Sequence, residues 1–417
     1  MENNMSNQKE SILKELIQRS TELPLDFTKL DEADFKRRVE PVFKTILRRT
    51  REVSLAPEEQ EEILNEAMSY FFGLGPIDKL LKNPDISEIM VNGPKQVYIE
   101  KSGNLELTDI TFIDENHLVY FIDKILGPVG RHVTQFEPYV DARLLDGSRV
   151  NIVRSPISAI GPILTIRKFS HRILSIDELI NLGTLNKLAA DFLKACVVSR
   201  LNILVSGGAS SGKTTLLNAL ASFIPEDERV ITIEDTLELR FSRKHTIPLE
   251  TRPPNIEGKG EITIRDLLRN SLHMRPDRII VGEVRSDEVL DMVQAINTGH
   301  DGSMTTLHAN SPVEALERLE ILALRGSANV SSEVAKRQII SAVDMVIHIN
   351  RFPDGSRRIT QISEIIEARE YFLQDIFILT EEADQAQGLR LTGRAPTFYV
   401  KLKNRAKYSC SEFEYIK

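Results

Sequence analysis

Residues 201–220 read LNILVSGGASSGKTTLLNAL, and Gly207, Gly212, Lys213 and Thr214 stand at the fixed places of the pattern G-x-x-x-x-G-K-[ST]. That spacing suits a phosphate cradle. Glycine lets a backbone come close enough to aim N–H groups at phosphate oxygens, here along Gly207, Gly208, Ala209, Ser210, Ser211 and Gly212. The helix expected next adds its N-terminal dipole, with Thr215 in its first turn. Lys213 is a compact cation for the β- and γ-phosphates, and Thr214 offers a hydroxyl to Mg²⁺. The plainer reading is a glycine turn between a strand and a helix. The apolar run before the loop and the leucine-rich segment after it favour a site for ATP or ADP.

Hydrolysis asks for acidic groups at the ends of neighbouring strands, to hold Mg²⁺ or orient water. RVITIEDTLEL (229–239) ends a strand at Glu234-Asp235 with Glu238 beyond, and RIIVGEVR (278–285) ends one at Glu283. A charge just past an apolar strand is where α/β sheets place function. For Asp235 the competing role is a helix N-cap, and for Glu238 a solvated surface charge. GHDGSMTTLHAN (299–310) sets His300 and His308 around a β-type run. As metal ligands they lack a nearby Cys/His cluster. That leaves structural histidines, or polar groups beside a γ-phosphate that sense the nucleotide. Thr305 and Thr306 suggest a buried polar strand end and favour the second role for His308.

These residues need a scaffold. Strands are expected at 202–205, 230–233, 278–281 and 304–307 with helices between them, the pattern of an α/β domain with a mostly parallel sheet. Before it, residues 85–170 read as α+β. Short β runs at 87–91 and 96–100 flank the Asn92-Gly93-Pro94 turn, a helix covers 115–126, a hairpin joins 139–145 to 149–153 around Asp146-Gly147, and a strand covers 163–168. In 31–72, Phe35, Val39, Val42, Phe43, Ile46 and Leu47 follow helical spacing, and a second helix starts at Pro57 and ends at Gly73. Residues 1–30 read as a mobile extension with a short helix at 10–19. The tail mixes a helix with β-type runs at 345–349, 371–379 and 398–402. The expected divisions are 1–30, 31–75, 76–172 and 173–417.

Composition narrows the partners. A net charge of -8 and the absence of Trp argue against nucleic-acid binding, which draws on Lys, Arg and aromatic stacking. Cys196 and Cys410 form no CxxC pair, so neither a disulfide framework nor a zinc site is expected. No signal-type or membrane-spanning apolar run stands out, so any membrane role runs through partners.

GGASSGKTT, TIEDTLEL, IIVGEVR and GHDGSMTTLHAN, in that order, resemble the Walker A, Asp box, atypical Walker B and His box of the secretion-superfamily ATPases of type II and type IV secretion and type IV pili. GLGPIDKLLKNPDISEIMVNGP, VDARLLDGSRVNIV and LTIRKF, with LQDIF and LTGRAP in the tail, resemble the CpaF-type branch that powers Tad pili. The resemblance runs from about residue 35 to the C-terminus; Asp301 departs from it, standing where a small residue is expected. It implies an α/β RecA-like P-loop ATPase domain, preceded by a smaller α+β, PAS-like domain and a helical segment. It implies a cytoplasmic homo-hexamer at the inner face of the membrane, using ATP and Mg²⁺. Such a ring drives pilus assembly and retraction through inner-membrane platform proteins and, indirectly, pilin subunits, without touching nucleic acid. In the site it makes Glu234 the carboxylate that orients water. Glu283 lies near Mg²⁺, in part through water, and His308 belongs to the same site. Arg143 and Arg149 reach the phosphates, Arg167 lies near the nucleotide, and Arg285 lies in the Walker B motif, with polar-core structure as a further role. For the three first-domain arginines the plainer reading is surface salt bridges. The alternatives are a type IV secretion ATPase exporting protein or DNA, a non-hydrolysing nucleotide-binding regulator, and a nucleic-acid motor.

Overall fold

The computed structural model describes residues 2–21, 32–49, 55–101, 103–169, 174–241, 243–254, 258–326, 330–366, 371–380 and 388–414. The chain divides into two compact units, Met1–Ser170 and His171–Lys417.

The first unit opens with α1 (Glu2–Thr21), α2 (Glu32–Arg49) and α3 (Pro57–Phe71). α1 corrects the expectation of a mobile extension: Ile12, Leu13, Leu16 and Ile17 are buried in one cluster with Phe35, Val39, Phe43 and Ile46 of α2 and Ile63 and Ala67 of α3. Those four residues form a one-sided stripe, which the polar composition around them masks. Residues 22–30 of the expected extension lie outside the described residues. α3 begins with Pro57 at N1, and Glu59 accepts the Ala56 N–H at 2.8 Å. α4 (Asp78–Lys82) leads into an antiparallel sheet of β1 (Ile86–Asn92), β2 (Val97–Lys101), β3 (Asn104–Leu107), β4 (Tyr139–Arg143), β5 (Arg149–Val153) and β6 (Ile163–Arg167). The order is β3-β2-β1-β6-β5-β4. α5 (Glu115–Leu126) packs Leu118, Phe121, Ile122 and Ile125 with Ile89, Val91, Val150, Ile152 and Leu164. The expected hairpin forms as β4–β5, with Asp146 accepting the Ser148 N–H in the turn.

His117 of α5 is buried among Tyr70, Phe112 and Phe121, and its Nδ1 accepts the Ile113 N–H at 3.0 Å. Burial pushes its pKa down from 6.5 to about 4. The folded unit therefore holds a neutral imidazole, and protonation favours the unfolded chain. This contribution is complete above pH 6.5 and is lost as pH falls towards 4, by ~3 kcal/mol at most. Urea denaturation across that window is expected to show the loss. His117→Asn, whose amide oxygen can accept the same N–H, is expected to flatten that part of the slope.

The second unit begins with α6 (Ile176–Asn181) and α7 (Lys187–Val198). β7 (Ile203–Gly207), α8 (Lys213–Ala221), β8 (Val230–Glu234), β9 (Thr246–Glu250), α9 (Ile264–Ser271), β10 (Arg278–Val281), α10 (Glu288–Asn297) and β11 (Met304–His308) follow. α11 (Pro312–Gly326), α12 (Ser332–Ala342), β12 (Met345–Arg351), β13 (Arg357–Ile366), β14 (Phe372–Leu379), β15 (Leu389–Leu391), α13 (Tyr399–Ala406) and α14 (Ser411–Glu414) complete it. The nine strands lie in the order β15-β14-β13-β12-β7-β11-β10-β8-β9. From β12 to β9 all neighbours are parallel, and from β12 to β15 they are antiparallel.

β7, β8 and β10 are buried along their whole length, because each face of the sheet is covered. Ile203, Val205 and Ile280 pack into a core with α7 and α8, while Leu204, Ile279 and Val281 pack into another with α9 to α12. Two expectations change here. The run 398–402 lies at the start of α13 instead of in a strand: Leu402 is buried and Phe398 and Tyr399 pack against the first of those cores. Tertiary packing overrides the local β preference. Between β8 and β9 no helix forms among the described residues, so Asp235 caps none.

Candidate functional site

Parallel register brings the strand ends to one edge of the sheet. His308 pairs opposite Gly207, Val281 opposite both Thr305 and Ile233, and Glu234 is the last residue of β8. Glu283 follows β10 by two residues, so Gly207, His308, Glu283 and Glu234 all lie at the carboxyl edge, where α/β sheets bind ligands.

Between β7 and α8 the loop turns sharply. A Cβ added at Gly207 would stand 2.2 Å from the Ile349 carbonyl oxygen, so no larger residue fits without moving β12. Gly212 has φ +96°, a conformation glycine adopts freely, and α8 begins at the next residue. At Gly208 an added Cβ would meet nothing within 4 Å, which leaves that side of the loop open for an approaching phosphate. Ala209 is exposed, Ser211 is buried, and Thr214 and Thr215 are half-buried in the first turn of α8.

Lys213 is buried, and its Nζ donates to the carbonyls of Gly208 at 2.7 Å and Gly207 at 3.2 Å. The same ammonium faces His308 Nδ1 at 3.2 Å. An ammonium can only donate, so a neutral His308 accepts at Nδ1 and carries its proton on Nε2. That edge lies 3.0 Å from Glu283 Oε1, a close approach of charge and not an aligned hydrogen bond. Burial pushes the His308 pKa down; Glu283 opposes this, while Lys213, Arg285 and Arg318 reinforce it. The other Glu283 oxygen accepts from Arg285 Nη2 at 2.6 Å, and Arg285 Nη1 reaches Asp235 at 3.3 Å. The bond to Glu283 raises the Arg285 pKa. Half-exposed, Arg285 is thus an ion-pair bridge and not the polar-core residue expected as one of its two roles.

Glu234 is 3% exposed, and its Oε1 accepts the N–H groups of Glu238 at 3.0 Å and Leu239 at 2.9 Å. It holds the turn after β8 as well as standing at the site edge. Among the crowded acids, Asp235 contacts Arg285 and Thr251, whereas Glu238 meets Glu234 through its backbone.

The two histidines separate. His300 lies before β11, at the opposite end from His308, where its Nδ1 meets the Ala295 carbonyl at 2.9 Å. Beside it Gly302 packs on Arg278, whose Nη1 would lie 2.6 Å from an added Cβ. Arg278 is fully buried and paired with Glu228 at 2.5 Å. Gly302, in the first half of the run, therefore packs on a buried ion pair, while His308, near its end, lies at the candidate site. Among the described residues no group of three or more His, Cys, Asp or Glu side chains gathers as a metal site. Thr214 and Glu283 are hard oxygen donors, which suits Mg²⁺ completed by phosphate and water.

The arginines predicted from sequence stand in the first unit as a row. Arg143 pairs opposite Arg149 and Arg149 opposite Arg167, across β4, β5 and β6. Residues directly opposite on antiparallel strands share a face. Glu88 of β1 lies opposite Arg167, with 3.8 Å between their charged atoms. Three neighbouring cations on one face make an anion-attracting stripe.

Sequence reasoning missed three contributors to the loop's surroundings. Arg357 of β13 donates to the Ser210 carbonyl at 3.0 Å, Ile349 of β12 lies against Gly207, and His348 Nδ1 meets Ser206 Oγ at 2.8 Å. They come from strands more than a hundred residues downstream, and RRITQISEII shows no clean alternation that would have announced β13.

Residues 72–387 match the family described as Type II/IV secretion system protein. A putative conjugal transfer protein of Mycobacterium tuberculosis is 34% identical over 302 residues, covering 71% of this chain and 85% of that protein. The type IV secretion system protein VirB11 of Brucella suis is 33% identical over 335 residues, covering 73% of this chain and 92% of that one. The X-ray structure of the Legionella pneumophila ATPase DotB shares the fold at TM-score 0.50 with 20% identity, covering 69% of this chain and 79% of that one.

Proposed function

Because the chain belongs to the type II/IV secretion system protein family, we propose that it is the ATP-hydrolysing motor of a type IV secretion machine, acting as a homo-hexamer on an inner-membrane platform. The observation that carries this reading is the meeting of Lys213, His308, Glu283 and Glu234 at one sheet edge beside the 207–212 loop. In the proposed site the loop amides and Lys213 hold the β- and γ-phosphates. Thr214 and Glu283 supply oxygen ligands to Mg²⁺, in part through water, and Glu234 orients the attacking water. Mg²⁺, when bound, neutralises charge building on the phosphate oxygens. His308 links Lys213 to Glu283 and so registers the state of both. Arg143 and Arg149 are assigned to the γ-phosphate and Arg167 to the nucleotide's surroundings.

The relatives named above favour export over pilus assembly. The Tad-pilus reading rests on the motifs at 73–94, 140–153 and 164–169, and pili lost with export intact in a deletion strain would favour it. Among the described residues no helix is long and apolar enough to cross a membrane, which supports attachment through platform proteins at the cytoplasmic face. The all-antiparallel sheet with α5 on one face supports a PAS-like first unit. No direct nucleic-acid contact is proposed for this acidic chain.

Purified full-length chain should hydrolyse ATP only with Mg²⁺, run as a hexamer in native mass spectrometry, and respond to platform protein but not to single-stranded DNA. Turnover no greater than background, or turnover surviving both Glu234→Gln and Glu283→Gln, would overturn the motor. Stimulation by DNA alone would replace it with a nucleic-acid motor.

The arginine row yields a further prediction. Arg149→Met, at the middle of the row, is expected to lower turnover at least ~10-fold, because a cation assigned to phosphate is lost. Melting temperature measured alongside turnover separates this loss from unfolding.

A further inference from the structure

The phosphate loop rests on a hairpin supplied by the tail of the second unit. Ile349, on β12, presses its carbonyl towards Gly207, and its Cδ1 would stand 3.7 Å from a Cβ at Gly212. Across the hairpin, Arg357 lays its stem on the same glycine: Cδ would be 3.2 Å and Cβ 4.0 Å from that added Cβ. From there its Nε–H donates to the Ser210 carbonyl at 3.0 Å. Ser210 is the residue of the loop that pays for its shape, a non-glycine held at φ +54°. That conformation costs an L-residue about 1–2 kcal/mol, and the Arg357 donor on the Ser210 carbonyl helps to hold it.

The hairpin is built to deliver this donor. Register between β12 and β13 slips at His348/Ile349, where His348 faces Gln361 and Ile349 faces Ile359. The extra residue, Thr360, forms a bulge, which bends and twists a hairpin. The bend falls where β12 leaves its parallel pairing with β7, whose last paired residues are His348 and Ser206. Beyond it the tip is tied by Asp354, which accepts from Ser356 and from Arg358, while Arg358 lies over the Phe352 ring. Arg357 therefore projects from a braced turn and not from a loose loop.

We propose that Arg357 is a positioning residue for the phosphate site, holding Ser210 and Gly212 in the shape that aims the loop amides at the β-phosphate. It acts through the loop backbone rather than on the nucleotide. The inference rests on the phosphate-loop reading of residues 207–214.

Arg357→Gln and Arg357→Met separate the roles of this side chain. Glutamine keeps the stem and places an N–H where Nε stood, without the charge. Methionine keeps the stem and has no donor. With full-length chain and a fluorescent ADP analogue, Arg357→Met is expected to weaken binding about 10-fold, and Arg357→Gln to bind within about 3-fold of the unaltered chain. Melting temperatures are expected to agree across the set, because the stem still covers Gly212. Equal weakening in both variants would overturn positioning in favour of a direct charge on phosphate, and unchanged binding in both would leave Arg357 no role. Lys213→Ala is the control: if the unaltered chain binds no better than this variant, the phosphate-loop reading itself fails, whatever Arg357 does.

Discussion

Alanine at Lys213 is expected to lower ATP turnover by about 10³-fold while both units stay folded. The ammonium lies inside the loop, on the carbonyls of Gly207 and Gly208 and beside His308. It is a mobile point charge that can serve β- and γ-oxygens as charge shifts between them, and no backbone amide can replace it. The structural cost is smaller. The Gly207 carbonyl keeps the Ala309 N–H at 3.3 Å, and losing the bond to the Gly208 carbonyl costs about 1 kcal/mol. Arginine should not rescue, because a planar guanidinium needs more room than a residue 6% exposed leaves it. Turnover, ADP binding and melting temperature measured on both variants test this. Turnover within a few-fold of the unaltered chain would remove the loop from catalysis.

What was legible in the sequence divides by range. The loop was readable because its fixed spacing of glycine, lysine and threonine is local, as is the positive φ at Gly212 that glycine adopts freely. The strand ends were readable because apolar runs stop abruptly at Glu234 and just before Glu283. Two kinds of fact were not. One is partnership across the chain: Arg357 reaches Ser210 over 147 residues, and nothing local to either marks it. The other is division of labour inside a motif. GHDGSMTTLHAN looks like one functional string, yet Gly302 serves a buried arginine at one end of β11 and His308 serves the site at the other. A strand five residues long separates its ends by roughly 17 Å, so a motif written along a strand has two addresses. The α1 stripe belongs with the first kind, since a few apolar residues suffice for a helix that finds partners on α2 and α3.

Glutamine at Glu283 is expected to lower turnover by at least ~10²-fold and to do more than neutralise a charge. Its two oxygens face two donors, the Nε2 edge of His308 at 3.0 Å and Arg285 Nη2 at 2.6 Å. An amide has one acceptor and one donor end. If the oxygen turns to Arg285, the NH₂ meets the Nε2 proton of His308. That proton cannot move to Nδ1 without facing the Lys213 ammonium. If the oxygen turns to His308, the NH₂ meets the guanidinium. Either orientation leaves donors opposed, so the substitution disturbs the proposed Lys213–His308–Glu283 relay as well as the proposed Mg²⁺ ligand. Glu234 provides the contrast, because both its backbone donors converge on a single oxygen, Oε1, which glutamine retains. Glu234→Gln should therefore keep nucleotide affinity within a few-fold and isolate the chemical step, whereas Glu283→Gln should weaken Mg²⁺-dependent nucleotide binding too. Adding Arg285→Met to Glu283→Gln relieves the opposed donors, so binding is expected to recover in part while turnover stays low. If turnover recovers with binding, Glu283 acts by holding its neighbours and not as the carboxylate at the metal. The charge also sets the proton on His308: Glu283 raises that pKa, so Glu283→Gln should move histidine-dependent steps of the pH profile to lower pH. A profile that moves upward, or stays put, would break the coupling between Glu283 and His308 on which the relay depends.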